Sequence, residues 1–186
     1  MDEANKMNKM VRQLLTLTAL EFGNDTPSIA AFDVTELVHD LINSSGILIQ
    51  QNAAKVSVDM PETLVVMGDE FKIEEVVTNY LTNAMNHLGG DHNIRIWSET
   101  LDGVAKIHVY NNGTPIPEED LPNLWTKFYK VDKARTRAYG GSGIGLSIVK
   151  AIMEAHHQQY GVANHEDGVE FWFTLALAPE KPEEEE

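Results

Sequence analysis

Two pairs of alternating segments close through short turns, and this limits the fold more than any other feature of the chain. "NIRIWSE" and "VAKIHVY" are joined through "TLDG", and "QYGVA" and "VEFWFTLAL" through a turn containing Asp167 and Gly168. A tight turn returns the chain antiparallel to itself, so each pair predicts a hairpin and the sheet they build is largely antiparallel. Shorter strands are expected at the start of "FDVTELVHD", at "KVSVDM" and at "TLVVM". Leu37, Val38, Leu41, Ile42, Leu48 and Ile49 recur at helical intervals and predict a helix from about Thr35 to Gln51, with Gly46 a weak point near its end. Asp69 is a good N-cap for a second helix carrying Ile73, Val76, Val77, Tyr80, Leu81, Ala84 and Met85 on one face. A third helix runs through "IGLSIVKAIMEAHH". Helices and hairpins interleave without the regular alternation of a parallel doubly wound sheet. The expected fold class is therefore α+β: a two-layer sandwich with a mixed, mostly antiparallel sheet packed on about three helices.

One more helix precedes this unit. "EANKMNKMVRQLLTLTALEF" spaces its apolar residues by three and four, and Gly23, Asn24, Asp25 and Pro27 end the pattern. The expected division is an amphipathic helix at 1–23, a linker at 24–31, the main domain at 32–178 and a disordered acidic tail, "EKPEEEE", from 179 to 186. With 42% hydrophobic residues in 186, one domain can bury a sizeable core. The chain has no cysteine, which rules out disulfides and thiolate metal sites and favours a cytoplasmic address. No apolar run approaches ~20 residues, so no membrane contact is expected of these residues. The net charge of −15 argues against nucleic acid as a partner. Any anionic ligand must use a local patch.

Such a patch stands at Lys127, Lys130, Lys133, Arg135 and Arg137, just before "YGGSGIGLSIVK". A solvated basic loop is the other reading of these residues. The glycine turn is not a Walker loop, because Leu146 stands where that motif needs Lys, and its G-G-x-G-x-G spacing after a basic loop is not the dinucleotide fingerprint. What it shares with both is physical: glycines let a ligand approach the backbone, and a helix starting at about Gly143 offers free N–H groups to an anion. On the helix after Asp69, Glu75, Asn79, Asn83 and Asn86 recur at steps of four, four and three and form one stripe. Asn is a mediocre helix former, and its carboxamide offers an oxygen to a hard cation and donors to phosphate; His87 adds another donor. An exposed polar face has the same pattern. In "VYNNGTPIPEEDL", Asn111 could accept a hydrogen bond and Gly113 would let a flat ring approach, although Asn-Asn-Gly also suits a plain turn.

Together these segments resemble the catalytic, ATP-binding half of a bacterial sensor histidine kinase, built on the Bergerat-type fold that gyrase-type ATPases also use. "NYLTNAMNH" is similar to that family's Asn-containing box, "YNNGTPIP" to its first glycine box, "LWTKFYKVDKARTR" to its phenylalanine box and lid, and "GGSGIGLSIVK" to its second glycine box. The resemblance implies that Asn79 and Asn83 hold Mg²⁺ and the phosphates of ATP, with Asn86 and His87 along the phosphate path. Asn111 would face the adenine amino group and Gly113 would lie under the ring. Lys130, Arg135 and Arg137 would neutralise the terminal phosphates from a lid, while Gly141, Gly143 and Gly145 shape its hinge and the phosphate-facing turn. Ile116, Ile144 and Leu146 count among the nucleotide-binding positions. Gyrase-type enzymes have Glu where Asn79 stands; Asn cannot act as a general base, so phosphoryl transfer is favoured over hydrolysis. Asn79 and Glu75, the latter through a water on Mg²⁺, are the expected catalytic positions.

The chain departs from the family at Asn111, where Asp is usual, at Pro115, where Gly is frequent, and at "HHQQ", where His-Gly-Gly is frequent. The expected effects are weaker adenine binding, a stiffer loop, and a changed turn with unchanged chemistry. The resemblance further implies a γ-phosphoryl acceptor histidine on a dimerisation hairpin whose second helix ends in residues 1–23, with onward relay to a response regulator. The acceptor would lie outside this chain, so self-phosphorylation is not expected; His39 in "HDLINS" lacks the family's following Pro and reads as a partly exposed helix residue. The full-length protein would be a homodimer anchored in the cell membrane with this part in the cytoplasm. Two alternatives stand beside this reading: a nucleotide-sensing or docking module without transfer activity, and a Ser/Thr kinase of the anti-sigma-factor type.

Overall fold

The computed structural model describes residues 2–23, 25–131 and 142–179. In chain order the elements are α1 (Asp2–Glu21), β1 (Ala30–Asp33), α2 (Val34–Ser44), α3 (Gly46–Gln51), β2 (Lys55–Asp59), β3 (Val65–Gly68), α4 (Glu70–Asn86), β4 (Asn93–Leu101), β5 (Val104–Asn112), a 3-10 turn at Leu121–Asn123, α5 (Gly145–Ala155), β6 (Tyr160–His165) and β7 (Gly168–Leu177). The strands form one seven-stranded sheet in the order β1-β3-β7-β5-β4-β2, with β6 pairing β7. Every pairing among the described residues is antiparallel except β2 with β4. This is the expected mixed, mostly antiparallel sheet with helices packed on it.

Both hairpins form. Asp102 and Gly103 take positive φ of 50° and 77°, the two left-handed residues whose twist matches a two-residue hairpin. The second turn closes one residue earlier than expected: His165 pairs with Gly168, so Gly168 opens β7 and the turn is Glu166-Asp167. A side chain at Gly168 would collide with the Asn111 carbonyl and the Tyr110 ring.

Two helix boundaries also move. The expected helix over 35–51 breaks at Ser45, between α2 and α3, where Ser44 Oγ donates to the Leu41 carbonyl at 3.0 Å. Such local side-chain bonds compete with helix propagation, and Gly46 follows at once. The third helix starts at Gly145 rather than near Gly143, because Gly143 holds a left-handed φ of 71°. Its carbonyl accepts from Phe128 N–H at 2.8 Å.

Alternation along the strands sends Ile94, Ile96, Ile107, Val109, Phe171, Phe173 and Leu175 to the helix-covered face, where they are buried. Tyr80 on α4 is fully buried between Phe171 and Phe173, at ring distances of 5.3 and 6.2 Å, and donates its hydroxyl to the Trp172 carbonyl. The other face carries Arg95, Trp97, His108 and Trp172; there Trp97 stacks on His108 at 4.6 Å and Lys106 lies over the Trp172 ring. α1 packs against α5. Leu17 and Leu20 are buried in the same core, Gln13 accepts from Ser142 Oγ at 2.9 Å, and Glu21 pairs with Lys127 at 2.6 Å. Met7, Val11, Leu15 and Phe22 of the same segment are exposed. Among the described residues, no helix is long and apolar enough to cross a membrane.

Candidate functional site

α4 is the spine of the site, and its start is tied from three directions. The Asp69 carboxylate caps the helix by accepting from Lys72 N–H at 3.3 Å and also accepts from Ser28 N–H at 2.8 Å. Its own N–H donates to His156 Nε2 at 3.0 Å, at the end of α5. With the apolar face of α4 locked into the core, the rotation of the neighbouring stripe is fixed. Glu75, Asn79, Asn83 and Asn86 are all half-buried, so the exposed-face reading of that stripe does not hold.

Asn79 is oriented by its own helix. Nδ2 donates to the Glu75 carbonyl at 2.8 Å, leaving Oδ1 directed at the start of α5: a Cβ built on Gly145 would stand 2.6 Å from that oxygen. Among the described residues the first turn of α5 has no side-chain cap, and its N-cap residue, Ile144, is fully buried. Free N–H groups at a helix start attract an anion, and the Asn79 oxygen lies beside this one. Asn83 makes no side-chain hydrogen bond among the described residues, so its oxygen and amide are both available. Burial holds the Glu75 carboxyl above its ordinary range, opposed by Lys72 and reinforced by Asp25, which pair with each other at 2.5 Å.

The other end of the site lies where α4 stops. His87 caps the helix and is exposed, and its carbonyl accepts from Asn111 Nδ2 at 3.4 Å. The same amide donates to the Asn112 carbonyl at 3.0 Å, and Asn111 is only 2% exposed. Its NH₂ is thus committed to two backbone carbonyls and its oxygen remains for a ligand, a division that a carboxylate at this position could not make. Gly113 donates its N–H to the Asp167 carbonyl at 2.9 Å, and a side chain there would run into the His87 carbonyl. Eight residues separate Asn79 from His87, about 12 Å along the helix. The candidate site thus runs along α4, from the Asn79 carboxamide beside the start of α5 at one end to Asn111 and Gly113 against the His87 carbonyl at the other.

The remaining expected residues fall around these ends. Ile116 is half-buried, and both its backbone groups are held by the Asn164 side chain on β6, at 2.9 and 2.7 Å. Asn164 was not legible in the sequence; a lone Asn in a strand carries no signal. Leu146 packs partly buried against the core. Gly143 and Lys130 lie together, since a Cβ on Gly143 would stand 3.0 Å from Phe128 Cα and 3.3 Å from Lys130 Cε. Arg135, Arg137 and Gly141 lie outside the described residues.

The residues present suit the groups that the sequence resemblance implies. Among the described residues there is no cluster of three or more His, Asp or Glu that could form an all-protein metal site. Mg²⁺ ordinarily takes one or two protein oxygens and completes its shell with phosphate and water, which is what Asn79 and Asn83 offer beside an anion site.

Residues 68–179 match the family described as histidine kinase-, DNA gyrase B-, and HSP90-like ATPase. The chain is 31% identical over 171 residues to the sensor protein VanSB of Enterococcus faecalis, covering 92% of this chain and 38% of that protein. It spans under half the length of the curated relatives it matches. Among solved structures, it is similar to the nucleotide-free catalytic domain of histidine kinase ThkA, with a TM-score of 0.72, 27% identity and coverage of 81% of this chain and 96% of that one. A crystal structure of ThkA in complex with the response regulator protein TrrA matches with a TM-score of 0.77 and 26% identity, over 97% of this chain and 50% of that one.

Proposed function

The chain belongs to the family of histidine kinase-, DNA gyrase B- and HSP90-like ATPases, and on that premise we propose that it is the ATP-binding catalytic part of a sensor histidine kinase. ATP lies along α4. Its adenine meets the free oxygen of Asn111 above Gly113, with Ile116 alongside, and its phosphates lie between the Asn stripe and the α5 start, near Asn86, His87, Gly143, Ile144, Gly145 and Leu146. Lys130 balances phosphate charge from one side of the turn; Arg135, Arg137 and Gly141 are assigned to the lid on the sequence resemblance alone. Asn79 and Asn83 hold Mg²⁺, which when bound neutralises charge on the terminal phosphates.

The observation that carries this reading is the Asn79 carboxamide, held by the Glu75 carbonyl so that its oxygen faces the uncapped start of α5. Such a site can position and neutralise a phosphoryl group. It offers no general base at Asn79, because a carboxamide does not take up a proton near neutral pH. Transfer to an acceptor fits this chemistry better than activation of water.

The acceptor is a histidine on a dimerisation hairpin outside this chain, and relay passes to a response regulator. Residues 1–23 form the end of that hairpin's second helix, 24–31 the linker, whose last two residues, Ala30 and Ala31, already pair with β3, 32–178 the catalytic domain and 179–186 an acidic tail, of which 180–186 lie outside the described residues. The exposed Met7, Val11, Leu15 and Phe22 then face the rest of the hairpin in a homodimer anchored in the membrane through another part of the protein. Mixing the chain with a separately made hairpin carrying the histidine, together with Mg-ATP, tests this: acid-labile label should appear on the hairpin. Acid-stable label on a protein partner would point to a Ser/Thr kinase. Nucleotide binding without any transfer would point to a sensing module.

A further inference from the structure

A cleft of about 370 Å³ lies against the opposite side of α5 from the nucleotide site, between the end of α1, the segment 122–127 and the start of β6. Gly145, which faces Asn79, and Ser147 are two residues apart, about 200° around the helix axis, so they look to opposite sides. Lys150 follows Ser147 by one turn and shares its side.

The floor of the cleft holds an unusual group. Ser147 is 4% exposed, and its Oγ has no hydrogen-bond partner among the described residues. A buried hydroxyl left unpaired is destabilising and stands ready as a donor. Lys150 makes no ion pair among the described residues, while Lys127 is paired with Glu21 of α1 at 2.6 Å. Thr126 adds a hydroxyl at the rim, and Trp125, edge-on to Tyr160 at 4.8 Å, forms a wall. Two ammonium groups and hydroxyl donors against one carboxylate, in a chain of net charge −15, favour a compact oxyanion over a cation or an apolar ligand.

We propose that this cleft binds a small oxyanion of the phosphate type through Lys150, Ser147 and Lys127, separately from the nucleotide. Because Lys127 is already paired with Glu21, the anion competes with the ion pair that ties α1 to the domain.

The test is a titration of the whole chain with inorganic phosphate, at ionic strength held constant with chloride, followed by NMR at the Trp125 indole and the Ser147 and Lys150 amides. Saturable shifts at these three groups are expected. Lys150→Gln and Ser147→Ala should each weaken binding about tenfold or more, and Glu21→Gln should tighten it by removing the competitor for Lys127. Ser147→Ala should leave thermal stability equal or higher, because the hydroxyl it removes has no partner among the described residues; this separates a ligand donor from a structural group. A parallel titration with glycerol phosphate assigns the ligand to phosphate monoesters if it binds more tightly than inorganic phosphate, and to free phosphate if it binds more weakly. Shifts that match the chloride control, that are confined to Gly143 and Gly145, or that persist unchanged in both Lys150→Gln and Ser147→Ala would overturn the proposal.

Discussion

Gly145→Ala separates the stability of this fold from its chemistry. Gly145 is the first residue of α5, and alanine is the better helix former by up to about 1 kcal/mol, so propensity alone makes the substitution stabilising. The structure opposes that gain: the new Cβ would stand 2.6 Å from Asn79 Oδ1. Asn79 cannot turn away freely, because its Nδ2 donates to the Glu75 carbonyl at 2.8 Å. Giving up that bond costs about 1 kcal/mol, and keeping it with a strained side-chain angle costs about as much. Gain and loss nearly cancel, so the unfolding free energy in urea should move by less than about 1 kcal/mol. Nucleotide binding has no such compensation. Displacing the carboxamide that faces the phosphate site should weaken Mg²⁺-dependent binding of an ATP analogue about tenfold or more, the range seen when a group orienting a metal ligand is lost. In an Asn79→Ala background the clash is absent, and the same glycine change should add up to about 1 kcal/mol of stability. Unaltered nucleotide affinity in a folded Gly145→Ala chain, or equal stability effects in the two backgrounds, would refute the contact.

Three further outcomes follow from the packing. His157 stands just past α5 with φ of 55°, and the bonds Gln158 N–H to Met153 O and His157 N–H to Glu154 O complete the turn in which glycine is usual. His157→Gly should therefore raise stability by about 1 kcal/mol, or about 2–4 °C in a thermal scan, without altering nucleotide affinity; a lower melting temperature would contradict this. Leu17 on α1 is 2% exposed, so Leu17→Ala should cost about 2–5 kcal/mol in urea unfolding, whereas a helix standing free of the domain would show almost none. His156 is held below its ordinary pKa of 6.5 by burial, against the pull of its bond to the Ile152 carbonyl and of Asp69, and its Nε2 must stay unprotonated to accept from Asp69 N–H. The unfolded chain then binds the proton more readily, so this residue's share of stability is complete above pH 6.5 and declines as pH falls from there towards the depressed folded value. Melting temperatures of the unmodified chain and His156→Gln, compared at about pH 7.5 and pH 5.5, should show a shallower acid loss in the variant over this window; parallel slopes would contradict it.

What could be read from the sequence was local. Asp102-Gly103 and the alternation around it specify a hairpin without help from the rest of the chain, and Asp69 announces the start of α4. The break at Ser45 was harder to place, because Leu48 and Ile49 continue the helical spacing although Ile47 and Leu48 are exposed on α3. The start of α5 depends on a contact between Gly143 and Phe128, which no local pattern records. The carboxamide stripe was visible as a stripe, but whether it was exposed depended on α5 arriving from far along the chain to cover Asn79. Amphipathicity showed that α1 buries a face without showing that α5 covers it. Two polar ties were invisible because only the finished fold brings all their partners together. Asn164 grips Ile116, and the Glu170 carboxylate bridges His108 and His165 at 2.6 and 2.7 Å; burial alone would raise its pKa, but these bonds hold it below the ordinary range.

The measurement that bears most directly on the central claim is calorimetric titration with a non-hydrolysable ATP analogue, with and without Mg²⁺, for the unmodified chain and Asn83→Ala. Asn83 is half-buried on the α4 stripe and its carboxamide makes no hydrogen bond among the described residues, so its removal tests the ligand role without breaking a structural contact. The expected result is saturable binding that Mg²⁺ strengthens and that Asn83→Ala weakens while the fold stays intact. A folded, unmodified chain that binds no analogue, or a variant that binds as tightly as its parent with Mg²⁺ present, would contradict the account.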